Sequence, residues 1–263
     1  MAWESHFKAN SLSYITKKQS KNMKEVTLKN TIYITDKLLD LAGQKCDETN
    51  PNRFLALYDL TRKIRACMDA LIPIDKYDML CVPVNLLYRC MITDLMTSLL
   101  ISVVDDKCYN EIIYIMDFKF AQSYKKAIMA ETKVKCSLAP EKALAFEKAC
   151  LSYQEQQYDT FKDCLKSNKG EEWEFKSKPS CLINGEQFKG DIASTYKVLL
   201  TFPVVKDMAS IYEYYCIFSQ SEHFSLKNRV FIYKQDFHEN YYNKTRGLIY
   251  LGEEFIYKQL SKQ

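Results

Sequence analysis

Residues 86–104 read LLYRCMITDLMTSLLISVV, and this stretch decides the fold class. Its apolar side chains surround the helix axis, which is typical either of a helix buried in a bundle or of a membrane span. Arg89 and Asp94 interrupt the stretch near its middle, and each would cost several kcal/mol in lipid without a partner. We therefore predict a buried central helix over residues 84–104 and no transmembrane segment.

The remaining chain repeats its apolar residues at spacings of three and four, which predicts further helices. Only six glycines and six prolines occur among 263 residues. The predicted helices cover residues 24–42, 51–71, 84–104, 106 to beyond 128, 140–166, 191–201, 204–223 and 240–260. Residues 171–190 are rich in turn residues, and Asn184-Gly185 favours a hairpin. The sequence predicts an all-α multi-helix bundle with a short irregular or hairpin insertion near 171–190.

The net charge of +4 lies in the N-terminal segment, since residues 1–30 hold six basic and two acidic residues. The rest of the chain is neutral, so its surface is not broadly basic as in many nucleic-acid-binding domains. We predict a basic, flexible arm over residues 1–22 and a single all-helical domain over residues 23–263. The arm either contacts an anionic partner or is simply solvated.

The ten cysteines stand singly, without a C-x-x-C pair. Met1 to Asn10 is polar and lacks the apolar core of a secretory leader. We therefore expect a cytoplasmic protein whose thiols are reduced and mostly buried.

Phosphate-binding loops and metal sites receive little support from the sequence. Gly185 and Gly190 have the spacing of a Walker loop, as do Gly247 and Gly252, but an acidic residue follows each pair where lysine is required. Three isolated histidines and unpaired cysteines do not form a zinc motif. We expect no cofactor and no metal ion.

The most suggestive polar residues lie late in the chain. Tyr215, Ser219 and His223 recur every four residues and share one face of a predicted helix. One interpretation is structural: the three side chains pack in the core, and His223 caps the helix or hydrogen-bonds a neighbour. The other is catalytic: His223 acts as a general acid or base, with Ser219 as its hydrogen-bond partner. Both interpretations remain open.

Arg89, on the central helix, is a second candidate site residue beside those of the later helix. A buried arginine requires acceptors. It either forms a structural ion pair, with Glu213 or Asp59 as the candidate partners, or lines an inner cleft opposite His223.

Together these helices are similar to those of an uncharacterised family of helical bacterial proteins of the HEPN-like (higher eukaryote and prokaryote nucleotide-binding) class. In that family an apolar helix bears an arginine, and a later helix carries a tyrosine, a serine and a histidine spaced in fours. Arg89, Tyr215, Ser219 and His223 match this pattern, and Lys178–Ser180 resembles the loop before the last part. The resemblance covers roughly residues 75–235.

The sequence departs from the family at two points. Thr93 stands where an acidic residue is usual, and Asp94 follows one residue later. HEPN ribonucleases carry Arg-x4–6-His within one helix, and none of the six arginines here has a histidine at that distance.

What the resemblance implies is a HEPN-like core and metal-independent RNA cleavage in bacterial defence. His223 would be the acid or base and Arg89 would stabilise the phosphorane, with Tyr215 and Ser219 beside them. The alternative is a non-catalytic helical module that binds a protein or ligand. We expect RNA or a protein as the partner, and a homodimer is compatible with either function.

Overall fold

A computed structural model describes residues 26–46, 53–74, 81–158, 161, 178–220 and 235–262. The predicted all-α multi-helix bundle is confirmed. In chain order the helices are α1 Leu28–Lys45, α2 Arg53–Ile74, α3 Cys81–Val103, α4 Asp106–Leu138, α5 Ala143–Tyr158, α6 Ile192–Leu199, α7 Lys206–Ala209, α8 Ile211–Ser219 and α9 Gln235–Leu260. A 3-10 turn, Pro140–Lys142, precedes α5.

The hairpin expected in the insertion is present. Strands β1 (Cys181–Ile183) and β2 (Glu186–Phe188) pair antiparallel, with Cys181 opposite Phe188 and Ile183 opposite Glu186. Asn184 and Gly185 form the two-residue turn with φ values of 50° and 84°. Two positive φ angles match the right-handed twist of the strands, which is why Asn-Gly predicts this turn.

One predicted helix was wrong in its extent. Residues 204–223 do not form a continuous helix, because α7 ends at Ala209 and α8 begins at Ile211. The amide of Glu213 bonds to the carbonyl of Ser210 at 3.1 Å, an i→i+3 bond that tightens the backbone at this point. Residues 221–223, and with them His223, lie outside the described part of the chain.

The chain divides into two compact units. The first comprises Met1–Asp47, Phe54–Ser98 and Ser210–Gln263, and the second comprises Glu48–Arg53 and Leu99–Ala209. The arm predicted over residues 1–22 lies outside the described residues, and the single domain expected over residues 23–263 stays a prediction.

Within the first unit, α1 and α9 pack through buried stripes. Thr35 of α1 and Glu253 of α9 are completely enclosed, and the Thr35 hydroxyl oxygen lies 2.6 Å from the Glu253 carboxylate oxygen Oε2. Beside this pair, α9 approaches α3 closely at Gly252, where an added Cβ would lie 2.9 Å from the Leu95 Cδ1 atom. Only a residue without a side chain fits this contact without a shift.

Within the second unit, α4 anchors the structure by its N-terminal half. Asp105 caps the helix, because its side chain accepts the Cys108 amide at 2.7 Å. The buried side chains of α4 are Tyr109, Ile112, Ile115, Phe118 and Ala121. No described side chain from residue 122 to residue 152 is buried. The second half of α4 and the start of α5 therefore contribute nothing to the enclosed core.

The central helix is the one described segment that passes a membrane-span test by length and composition. The segment Val82–Val103 has a mean hydropathy of 1.5, yet 56% of its apolar window is buried within the protein. A largely buried helix of this kind is typical of a bundle core, as the sequence predicted.

The expected burial of the thiols was wrong for the part of the chain that the structure describes. Eight cysteines are free thiols there, of which six are half-buried and two, Cys90 and Cys216, are exposed. Cys67 shows the reason, since it follows the buried helix position of Ile64 by three residues but stands next to Met68, which takes the buried position. The cysteines lie at the edges of the apolar stripes rather than on them.

Candidate functional site

Helices α3 and α8 bring Arg89 and Tyr215 together in the first unit. The Arg89 Nη2 atom donates to the Tyr215 hydroxyl at 3.2 Å, and the guanidinium carbon lies 5.1 Å from the centre of the Tyr215 ring. The arginine therefore makes both a hydrogen bond and a cation–π contact with one residue. Both side chains are half-buried, so they remain within reach of a ligand.

Ser219 lies one turn beyond Tyr215 on α8. Its hydroxyl donates to the Tyr215 carbonyl oxygen at 2.7 Å, which is the back-bond that serines make inside helices. The Ser219 proton is thus used within its own helix, while its oxygen can still accept a hydrogen bond. Tyr215 and Ser219 share the face on which His223 would continue the spacing, and His223 itself is outside the described residues.

Of the two acidic residues that the sequence suggested as partners of Arg89, Glu213 is exposed on α8 and Asp59 is engaged elsewhere. Asp59 pairs with Arg62 at 3.3 Å, and Asp94 pairs with Lys63 at 2.6 Å. Thr93, at the position where the family has an acid, donates to the Arg89 carbonyl at 3.0 Å. Asp94 therefore holds α3 to α2 and is separate from the Arg89–Tyr215 contact.

Tyr88, the residue before Arg89 on α3, belongs to a stack of aromatic rings. The Tyr88 ring stacks on Tyr242 of α9 with centres 4.9 Å apart and contacts Phe218 of α8 at 5.7 Å. The Tyr242 hydroxyl donates to the buried Asn85 side-chain oxygen at 2.7 Å. This stack fixes α8 and α9 against α3, and so it holds the backbone that carries Arg89 and Tyr215.

Arg246 of α9 contacts the aromatic stack, and sequence reasoning missed it. Its Nη1 atom donates to the Tyr88 hydroxyl at 3.4 Å, and its Nη2 atom donates to Asn243. Its Nε–H is buried and has no hydrogen-bond partner in the described part of the chain. The available signal was the spacing on α9, because Tyr242 and Arg246 stand one turn apart and reach the same α3 residue.

Arg89 and Arg246 both donate to neutral oxygen atoms, those of two phenols and an amide. A guanidinium group is always charged and has a planar fork of donors that fits a phosphate group. On the other side of α8, burial raises the pKa of Tyr214 to about 12, so that phenol stays protonated at neutral pH. Arginine and tyrosine side chains are donors, so each of these contacts contains groups that can bind an anion.

Among the side chains that the structure describes, no group of three or more His, Cys, Asp or Glu residues is placed to hold a metal ion. Comparison of the chain with protein-family models, with characterised proteins and with solved structures finds no match. The arginine–tyrosine cluster, which comprises Arg89, Tyr215, Tyr88 and Arg246, is the candidate functional site in the first unit.

Proposed function

We propose that the chain is a cytoplasmic HEPN-like protein that cleaves RNA without a metal ion, as an effector of bacterial defence. The observation that carries the proposal is the Arg89–Tyr215 contact, which joins the two separate motifs of the resemblance at one half-buried place. Arg246 adds a second guanidinium group in the same unit. An RNA phosphodiester is a substrate that such donors recognise.

The reaction assigns one role to each residue. His223 removes the proton from a ribose 2′-hydroxyl, and the 2′ oxygen then attacks the adjacent phosphorus. Arg89 stabilises the charge that develops on the phosphoryl oxygens. The bond to the 5′ oxygen breaks and that oxygen takes the proton back from His223, which leaves a 2′,3′-cyclic phosphate and a 5′-hydroxyl group.

Tyr215 positions the arginine in this scheme. Its hydroxyl oxygen accepts from Arg89, so its own proton points away from the guanidinium group and can be donated to a phosphoryl oxygen. Ser219 can accept a hydrogen bond from His223 but has no proton to offer, because that proton bonds to the Tyr215 carbonyl.

The second candidate function is a non-catalytic module that binds a protein or ligand. The intrahelical bond of Ser219 favours it, since a serine committed to its own backbone is a structural element. In that case the Arg89–Tyr215 pair only joins α3 to α8.

The experiment is an RNA cleavage assay with a fluorescently labelled single-stranded RNA in the presence of a metal chelator. His223→Ala should abolish cleavage and leave the melting temperature unchanged, and Arg89→Ala should lower the turnover. His6→Ala removes a histidine outside the motif and is the matched control. Products carrying a 2′,3′-cyclic phosphate support the mechanism.

Two outcomes contradict the enzyme. The first is full activity of His223→Ala, which would trace the cleavage to a contaminant. The second is the absence of cleavage together with a change of stability in His223→Ala, which supports the binding module.

A further inference from the structure

A second polar site lies in the other unit, beside the hairpin. Its pocket of about 430 Å³ is bounded by α4, by the segment Lys178–Ser180 and by the link from β2 to α6. Three lysines line it, namely Lys119, Lys178 and Lys189. No residue of the arginine–tyrosine cluster belongs to it, so the role of this pocket is independent of the proposed function.

The described side chains of this lysine pocket carry more positive than negative charge, with three lysines and one aspartate. Among the described residues that line it, Asp191 is the one acidic residue. Its Oδ1 atom accepts the Ser194 amide at 2.8 Å as the cap of α6, and its Oδ2 atom lies 3.8 Å from Lys119. Lys178 and Lys189 have no carboxylate within 4.0 Å in the described ranges. Within those ranges, neither of these two ammonium groups has an ion pair that an anion would have to displace.

The backbone that carries Lys189 is held tightly against α4. Gly190 has a φ of 69°, and a Cβ there would lie 2.9 Å from Ile115 and 3.2 Å from Lys119. The Lys189 amide donates to the Ser194 hydroxyl at 3.1 Å. These contacts fix the backbone that carries Lys189 beside the Lys119 side chain.

Ser180 adds a hydroxyl group to the lysines that line this pocket. The Gln187 amide donates to the Ser180 hydroxyl oxygen at 3.0 Å. Because that oxygen is already an acceptor, the hydroxyl proton is directed elsewhere. The described residues supply no acceptor for it, so it can be donated to a ligand in the pocket.

We propose that this lysine pocket binds the phosphate group of a small molecule. Convergent lysines with a hydroxyl donor are the chemistry that recognises phosphate dianions. The pocket continues into a larger open groove that shares Pro179, Ser180 and Gln187 and also includes Asn110 and Glu111. The remainder of an organic phosphate would lie in that groove, where amide and carboxylate groups can bind its hydroxyl groups.

The test uses isothermal titration calorimetry of the full chain with inorganic pyrophosphate at low ionic strength. Lys178→Gln and Lys189→Gln should each weaken binding about tenfold, since each removes one charged hydrogen bond. Lys206→Gln, at an exposed lysine of α7, is the matched control and should bind as the wild type does. Arg89→Ala should also leave this binding unchanged, which separates the pocket from the proposed RNA site.

A second titration with ribose 5-phosphate and inorganic phosphate identifies the source of the phosphate group. Tighter binding of ribose 5-phosphate supports an organic ligand that uses the groove, and equal binding supports a free phosphate ion. The proposal is overturned if pyrophosphate does not bind the wild type. It is equally overturned if Lys178→Gln and Lys189→Gln bind no more weakly than Lys206→Gln.

Discussion

Thr35 of α1 and Glu253 of α9 are joined by a fully buried hydrogen bond. The Thr35 hydroxyl oxygen lies 2.6 Å from Glu253 Oε2 and 2.8 Å from the Thr31 carbonyl oxygen. A hydroxyl has one proton and cannot donate to both acceptors. The Glu253 carboxyl group therefore has at most this one hydroxyl donor in the described part of the chain, since its other oxygen is buried without a hydrogen-bond partner there. Burial, the largest effect, raises the pKa of Glu253 to about 8, and nearby Asp36 adds to this rise.

Glu253→Gln should remove a pH dependence of stability. The folded pKa is about 8 against an ordinary value of 4.5, so the folded state binds the extra proton between these values. The wild type should therefore lose stability as the pH rises from 5 to above 8, on the order of 5 kcal/mol in total. Chemical denaturation across this range measures the effect.

Glu254→Gln is the matched control for that experiment. Glu254 is the next residue, about one-third exposed, and pairs with Lys258 at 3.0 Å. Its substitution should change the free energy of unfolding by less than about 0.5 kcal/mol. Parallel pH profiles of the wild type and Glu253→Gln would show that Glu253 is ionised in the fold.

The contact between Arg89 and Tyr215 should be measurable as a coupling energy. Tyr215→Phe removes the hydroxyl and should cost about 1 kcal/mol of stability. Arg89→Ala loses the cation–π contact as well and should cost about 1–3 kcal/mol. Denaturation of both single variants and of the double variant should give a coupling of about 0.5–1.5 kcal/mol, whereas additive losses would show that the contact contributes nothing.

Gly252→Ala should destabilise the protein because its methyl group would meet the fully buried Leu95 at 2.9 Å. The expected cost is about 1–3 kcal/mol, typical of an overpacked core. Gly43→Ala is the control, since its Cβ would lie 3.4 Å from the Tyr58 ring, at the edge of an ordinary contact. Alanine in a helix is favoured over glycine by about 1 kcal/mol, so this variant should be neutral or stabilised, and equal losses in both would refute the difference in packing.

Lys63 should matter more to stability than its exposure suggests. Its partner Asp94 has a side chain only 8% exposed, and burial raises the pKa of Asp94 while Lys63 lowers it. Lys63→Gln leaves that carboxylate without its cation and should cost about 1–3 kcal/mol at neutral pH. The pKa of Asp94 would rise further, so the cost should shrink as the pH falls and the group protonates.

Arg62→Gln is the comparison for Lys63. Arg62 and Asp59 are both more than half exposed, and such a pair contributes at most about 0.5 kcal/mol. Thermal or chemical denaturation of the two variants at two pH values should separate them. If Lys63→Gln lowers the free energy of unfolding no more than Arg62→Gln does, then the ion pair with Lys63 does not stabilise the buried Asp94 carboxylate.

The thiols should react in an order set by exposure and pKa. Cys90 and Cys216 are exposed and should be modified first by a thiol reagent at pH 8. Burial raises the pKa of Cys67 and of Cys181 to about 11, so both should remain protonated and react slowly, because the thiolate is the nucleophile. Peptide mapping by mass spectrometry after timed labelling gives the order, and early labelling of Cys67 would contradict it.

Local rules were sufficient for the helices and the hairpin. The spacing of apolar residues and the scarcity of glycine predicted an all-α bundle, and Asn184-Gly185 predicted its turn. The interruption at Ser210 was not predictable, since the residues on both sides continue an apolar pattern and the backbone there is still right-handed, with φ −56° and ψ −16°.

The polar groups of α9 were missed for a different reason. From the sequence, the charge of Arg246 and of Glu253 suggests that each lies on the exposed face of an amphipathic helix. Glu253 stands four residues after Ile249 and three before Ile256, both fully buried, so its position on the stripe signalled its burial. What each group bonds to is set by helices far away in sequence, and the helical period does not reveal those partners.

The helical hairpin formed by the end of α4 and the start of α5 has a consequence for motion. Since no described side chain from 122 to 152 is buried, opening this segment exposes little new apolar surface to water. Its amide hydrogens should exchange with solvent through local opening, at rates far above those of α3, whose exchange requires the core to come apart. A protease should likewise cut within this hairpin while the rest of the protein stays folded.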